Sequence, residues 1–229
     1  MRVLLIDCYI DDAGSARFFT PLIDAGVDVV RVPFEPLDRQ VSEVDAVVVS
    51  GSKASANDDE AWVHRSRRFL ADAVAADVPV LGVCFGHQLL ATAVGGVVRQ
   101  RARAEVGFLP VTLDADPLLS PSLGGALEPF VSHGDEVLPH PAYEVLGRSE
   151  ACAVQALRVP GRRAWGVQFH LEYDREEQER ILVYRAEIHP ELGLDPAAQM
   201  ASGSDTTGMG RQLFDRFLAL ARGDATASA

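Results

Sequence analysis

A chain of 229 residues, 48% apolar and 24% charged, carries enough apolar material for a sizeable core and has the composition of a soluble globular protein. Its formal net charge of −12 repels phosphate and argues against nucleic-acid binding; the isolated basic clusters at 64–68 and 99–103 do not reverse that. No stretch approaches the roughly 20 apolar residues of a membrane span and the apolar run before Asp7 is too short for a signal-peptide core, so no membrane contact and a cytoplasmic location are expected.

Residues 2–7 are a compact apolar run and read as a buried strand. Helical spacing over 15–25 ends at Gly26, strands follow at 27–32 and 45–49, and a helix is predicted over 60–76. A fourth buried strand is predicted at 79–83, with a helix from just after Cys84 to about Val94. This alternation is the pattern of a mainly parallel sheet with helices on both faces. The middle changes character: short β-type runs at 97–100, 106–113, 127–131, 143–148 and 153–159 are broken by Pro and Gly and predict antiparallel or mixed strands. A strand at 164–169 and helices at 174–188 and 209–222 complete the set; 189–208, rich in Gly, Ser, Asp and Pro, reads as a loop. No repeat or clean linker divides the chain. One α/β domain over 1–222 is expected, with 223–229 a disordered tail.

The three cysteines, Cys8, Cys84 and Cys152, are odd in number and widely spaced, which fits neither a disulfide framework nor zinc-ligand spacing. Cys84 stands out because it lies in Gly82-Val83-Cys84-Phe85-Gly86, between a predicted strand and a predicted helix. One reading is a buried, inert thiol, since free cysteine is among the most buried residue types. The other is a nucleophile elbow with sulfur in place of oxygen. In an elbow the nucleophile sits in a strained backbone conformation, and its neighbours two positions away must be small for the chain to pass. The following helix N-terminus favours thiolate over thiol, and the N–H of Phe85 is placed to donate to an oxyanion.

A thiol nucleophile needs a base. Of the six histidines, His87 lies one turn after Cys84 on the same helix and is expected to pack away from the sulfur. His64 and His189 read as surface residues. His170 ends the run AWGVQF, at the strand edge that presents Cys84, and Glu172 follows two residues later. Cys–His–carboxylate is the order that activates a thiol: the imidazole takes the proton and the acid orients the ring. An ordinary His-x-Glu at a strand end is the competing reading.

The stretches GVCFGHQLLA, SHGDEV and WGVQFHLE, in this order and spacing, resemble the class I (triad) glutamine amidotransferase family over about residues 3–186. The details look closest to a free-standing branch that resembles the glutaminase domain of GMP synthase and the γ-glutamyl peptidases. The resemblance implies an open, flavodoxin-like α/β sheet. It implies a reaction in which a cysteine attacks the side-chain amide of glutamine, forms a γ-glutamyl thioester, and releases ammonia and then glutamate. The matching positions are Cys84 as nucleophile, His170 as base and Glu172 as orienter. Gly51 and Ser52 match the oxyanion loop, joining Phe85, although Ser52 replaces the more usual second glycine. Gln88 matches a glutamine-binding position, Ser132 and His133 a segment that holds the amino-acid end, and Glu105 with Gly107 a family E-x-G. Asp135 is assigned the α-ammonium by charge rather than by motif. Leu171 stands where the family usually has proline, which is expected to loosen the strand end.

The resemblance implies no metal and no cofactor, because the triad and oxyanion donors suffice; any nucleotide would belong to a partner. The expected activity is hydrolysis of a γ-glutamyl amide, with ammonia passed to a separate synthase. The alternatives are a free-standing hydrolase that removes γ-glutamyl from an amine or peptide, and a non-catalytic glutamine-binding relative. The intact trio of Cys84, His170 and Glu172 weighs against the last.

Overall fold

The computed structural model describes residues 1–224. In chain order its elements are β1 (Arg2–Asp7), α1 (Ala16–Phe19), β2 (Gly26–Arg31), β3 (Ala46–Val49), α2 (Ala61–Ala75), β4 (Val80–Val83), α3 (Phe85–Ala93), β5 (Val98–Phe108), β6 (Val111–Leu113), α4 (Leu119–Leu123), β7 (Ala126–Leu127), β8 (Phe130–Val137), β9 (Glu144–Arg148), β10 (Ala156–Arg158), β11 (Ala164–Val167), α5 (Arg175–Ile188), α6 (Pro196–Ser202) and α7 (Thr207–Arg222).

Strands β3, β4 and β11 are apolar at every position, and β1 is from Val3 to Ile6, because both of their faces are covered. Along β1, Val3 and Leu5 enter one core, built with α1, α4 and α7, while Leu4 and Ile6 enter the other, built with α2 and α3. The same alternation runs along β3, with Ala46 and Val48 on the first face and Val47 and Val49 on the second. A strand buried on both sides loses the polar half of the usual two-residue period, which is why these runs read as continuous. Among the described residues the strands make a nine-stranded sheet in the order β2-β1-β3-β4-β11-β10-β9-β6-β7. Neighbours from β2 to β11 are parallel and those from β11 to β7 antiparallel. β5 and β8 form a separate antiparallel ribbon. This is the expected mixed, mainly parallel flavodoxin-like sheet with helices on both faces, and among the described residues no helix is long and apolar enough to cross a membrane.

Topology already brings the motifs together. β11 pairs in parallel with β4, Val167 beside Val83. Cys84 follows β4 directly and His170 lies three residues beyond β11, so both emerge at the carboxyl edge where open α/β sheets bind ligands.

Several expectations are corrected. The helix predicted over 15–25 is a single turn, Ala16–Phe19, followed by a 3-10 turn over Thr20–Leu22 that contains Pro21; proline lacks the N–H that an α-helix would need there. The run at 97–100 and the start of the run at 106–113 are joined in one eleven-residue strand, β5, whose register against β8 shifts between Gln100 and Glu105, and the end of the second run forms the separate strand β6. The run at 127–131 divides into β7 and β8 around Pro129. The loop predicted over 189–208 contains a 3-10 turn, Pro190–Leu192, and helix α6. There Asp195 accepts a hydrogen bond from the Ala198 N–H at 3.0 Å and Pro196 opens the first turn; residues that look like breakers are here a start signal. The tail expected to be disordered lies, from 225 onward, outside the described residues.

Candidate active site

Cys84 occupies a backbone conformation of φ 52°, ψ −103°, where side chains are rarely found. The flanking glycines explain how the chain tolerates it. A Cβ on Gly82 would collide with the Gly86 carbonyl, and one on Gly86 would collide with the Val49 carbonyl of the neighbouring strand. The turn is fastened by Cys84 N–H to Val167 O at 2.8 Å, Gly86 N–H to Ser50 O at 3.1 Å and Gln88 N–H to Cys84 O at 3.1 Å. The predicted elbow is therefore present as geometry, at the N-terminus of α3.

His170 is buried and its Nδ1 lies 2.6 Å from Glu172 Oε1. Glu172 Oε2 accepts the Leu171 N–H at 3.0 Å. Leu171 thus supplies a donor that proline lacks, so its presence ties the carboxylate down rather than loosening the strand end. The ring stacks on Tyr173 at 4.4 Å between centroids and 17° between planes, and the Tyr173 hydroxyl shares a short hydrogen bond with that of Tyr9. Burial alone would drive the proton off His170; the Glu172 carboxylate and the adjacent Cys84 sulfur outweigh it and push its pKa up to about 10. A thiol, an imidazole and a carboxylate so aligned can move a proton off sulfur, hold it, and deliver it to a leaving nitrogen.

Gly51 packs against both Cys84 and His170. Among the described residues the N–H groups of Gly51, Ser52 and Phe85 donate to no protein acceptor, which leaves them available to an oxyanion. Cys84, His170, Ser52 and Ser132 line one cavity of about 230 Å³, roofed by the α5 residues Ile181, Tyr184 and Arg185.

Of the residues assigned to the substrate, Ser132 alone lines this cavity. Gln88 is buried behind it, donating from Nε2 to Asp135 O at 3.1 Å and to Gln168 Oε1 at 3.0 Å. Asp135 accepts from the Ser55 hydroxyl at 2.5 Å. The His133 Nδ1 lies 2.8 Å from Asp135 O, and its Nε2 2.9 Å from Glu105 Oε2. Gln88, Asp135, His133 and Glu105 thus form one connected scaffold that fixes the backbone around Ser132. His87 lies against Gly166 on the far side of β11 from the sulfur, and burial lowers its pKa to about 3, so it is neutral.

Glu105, His133 and Cys152 place one ligand-type atom each within 4.8 Å of one another and could in principle hold a metal ion. Two features oppose it. Arg101 Nη1 lies 4.0 Å from the Glu105 carboxylate, and burial, aided by Glu105 and Glu136, pushes the Cys152 thiol up to about 12, so the sulfur keeps its proton. Sequence reasoning did not single out Tyr9, Lys53, Tyr173 or Arg185 at the site. Tyr9 could have been found, because it follows the carboxyl end of a central parallel strand; the α5 residues carry no such signal.

Residues 4–187 match the family model described as glutamine amidotransferase class-I. A subunit of the glutamine-hydrolysing GMP synthase of Saccharolobus solfataricus is 30% identical over 154 residues, 67% of this chain and 80% of that protein. The corresponding subunit from Methanocaldococcus jannaschii is 30% identical over 146 residues, 63% of this chain and 73% of that protein. A Thermus thermophilus GMP synthase is 36% identical over 143 residues, 60% of this chain but 27% of that longer protein. Among solved structures, a glutamine amidotransferase from Thermotoga maritima shares the fold with a TM-score of 0.81 at 22% identity, covering 96% of this chain and 97% of that one. Another from Methylobacillus flagellatus gives 0.75 at 25% identity, covering 95% and 93%. With the family model matched over most of its length, the chain belongs to the class I glutamine amidotransferase family.

Proposed function

We propose that the chain hydrolyses the γ-amide of glutamine through a thioester on Cys84 and supplies the ammonia to a separate synthase. The observation that carries this reading is the strained Cys84 turn facing the His170–Glu172 pair across one cavity. The Cys84 sulfur attacks the amide carbon, and the oxygen charge that develops is met by the N–H groups of Gly51, Ser52 and Phe85. His170 gives its proton to the amide nitrogen as the C–N bond breaks, and ammonia leaves. A water then attacks the thioester carbon while His170 takes a proton from it. Glutamate departs, and the sulfur recovers its electron pair. Glu172 holds the ring in orientation throughout, and Tyr173 backs its face. The separate synthase is supported by the Saccharolobus and Methanocaldococcus relatives, each of which is named as one subunit of a GMP synthase.

Ammonia and glutamate release from glutamine by the purified chain, alone and with a GMP synthase subunit that lacks its own glutaminase, tests the proposal. Release that rises on adding the synthase and disappears in Cys84→Ala is the expected result. Release that persists in Cys84→Ala would overturn it.

A further inference from the structure

We infer that Arg185, assisted by Lys53, receives the α-carboxylate of the glutamyl substrate and makes that carboxylate a condition of efficient binding. The inference rests on the reading of Cys84 just given.

Both cations line the cavity that holds Cys84 and His170, and they come from distant parts of the chain. Arg185, on α5, donates its Nε to the Ser132 hydroxyl at 3.0 Å, which fastens one edge of the guanidinium beside the backbone segment assigned to the amino-acid end. Its two terminal nitrogens donate to no protein acceptor among the described residues, so the outer edge of the fork is open. Lys53, on the loop after β3, holds its ammonium over the Tyr184 ring at 4.7 Å. Neither cation has a carboxylate partner among the described residues, whereas Arg180, one turn earlier on α5, is paired with Glu177.

The chain has 33 Asp and Glu against 21 Lys and Arg. The cavity is also lined by Asp11, Glu177 and Arg180, but Glu177 is taken by Arg180 and neither carboxylate pairs with Lys53 or Arg185, so a carboxylate that enters the cavity meets two cations that have no ion-pair partner of their own among the described residues. A guanidinium already fixed at one edge meets a carboxylate with two parallel N–H···O bonds and loses little freedom in doing so. The competing role for Arg185 is a brace that merely ties α5 to β8. The two roles differ in what they discriminate. A brace affects every reagent that reaches Cys84; a carboxylate receptor affects only those that carry the carboxylate.

The test uses a glutamine analogue in which a chloroketone replaces the side-chain amide, together with the same reagent bearing an α-carboxamide in place of the α-carboxylate. Alkylation of Cys84 in the full chain is followed by intact mass. The wild type is expected to react about ten- to a hundredfold faster with the carboxylate reagent, the worth of a charge-assisted bidentate contact. Arg185→Met is expected to lose most of that preference by slowing the carboxylate reagent alone. Arg185→Lys should retain part of it, and Lys53→Met, at an exposed position, should reduce it about threefold or more. A preference unchanged in Arg185→Met, or an equal slowing of both reagents, would overturn the inference and leave the Cys84 reading standing. Labelling of Cys84 by iodoacetamide but by neither chloroketone would instead remove the glutamyl reading, and this inference with it.

Discussion

Among the described residues, two groupings of cysteine, histidine and glutamate share composition but not capability. Cys84, His170 and Glu172 meet at the carboxyl edge of the sheet; Cys152, His133 and Glu105 meet beside the β5–β8 ribbon. In the first, Glu172 occupies one ring nitrogen of His170 at 2.6 Å and the other is left for the sulfur, which borders a cavity. In the second, His133 has Nδ1 2.8 Å from Asp135 O and Nε2 2.9 Å from the Glu105 carboxylate, and Cys152 is wholly buried. The backbone differs too: Cys84 sits at positive φ, Cys152 does not. A ring nitrogen left for the sulfur, a sulfur that borders a cavity and a strained turn separate a candidate nucleophile from a packing thiol; residue type does not.

The comparison is broken most directly at the sulfurs. Cys84→Ala is expected to lower glutamine hydrolysis by at least about a thousandfold. Cys152→Ala should keep the rate within about threefold and lower stability by about 1 kcal/mol, read by thermal unfolding. Equal losses from the two would erase the distinction. Next in size are the histidines. His170→Asn should cost about 10²–10⁴ in rate, while His133→Asn, which disturbs only the scaffold behind Ser132, should cost less than about tenfold in kcat and act mainly on KM and stability.

Glu172→Gln sharpens the contrast through pH. His170 binds its proton more tightly in the folded chain, at about 10 against an ordinary 6.5. Its contribution to stability is therefore full below about 6.5 and is lost as pH rises through about 10. Removing the Glu172 charge lowers the folded value, so the alkaline limb of the pH–rate profile should move to lower pH and the stability loss should begin earlier. An alkaline limb that stays in place would show that Glu172 does not hold the His170 proton. Among the changes at the Cys84 site the smallest effect is expected from Leu171→Pro, which deletes the N–H donated to Glu172. A loss of about 1 kcal/mol and a few-fold slower turnover follow.

The elbow was legible in the sequence because each of its constraints falls on a nearby residue. Two glycines, a cysteine, an apolar strand before and a helix after occupy one short stretch, and the predicted strand ends brought His170 to the same edge. The parallel half of the sheet was legible for a related reason, as strands covered on both faces are apolar throughout. Other parts depended on contacts distant in sequence. Long strand β5 runs through RQRARAE, where exposed arginines hide any apolar period. Helix α6 was concealed by Asp195 and Pro196, a pair that punctuates a loop as readily as it opens a helix. The scaffold of Gln88, Asp135, His133 and Glu105 was placed near the substrate by motif, but whether a side chain lines a cavity or supports its wall is decided by packing. Arg185 was invisible because an arginine on an exposed helix has no sequence mark until Ser132, 53 positions away, is brought to its Nε.

Leu171 carries a consequence for how such a chain can diverge. Its amide holds the orienting carboxylate, and its carbonyl is passed so closely by α7 that only a glycine fits at Gly210. Proline at 171 would give up that hold, and a side chain at 210 would push on the loop that carries His170 and Glu172. A pattern that demands His-Pro-Glu would pass over a chain in which Glu172 still holds the His170 ring beside Cys84.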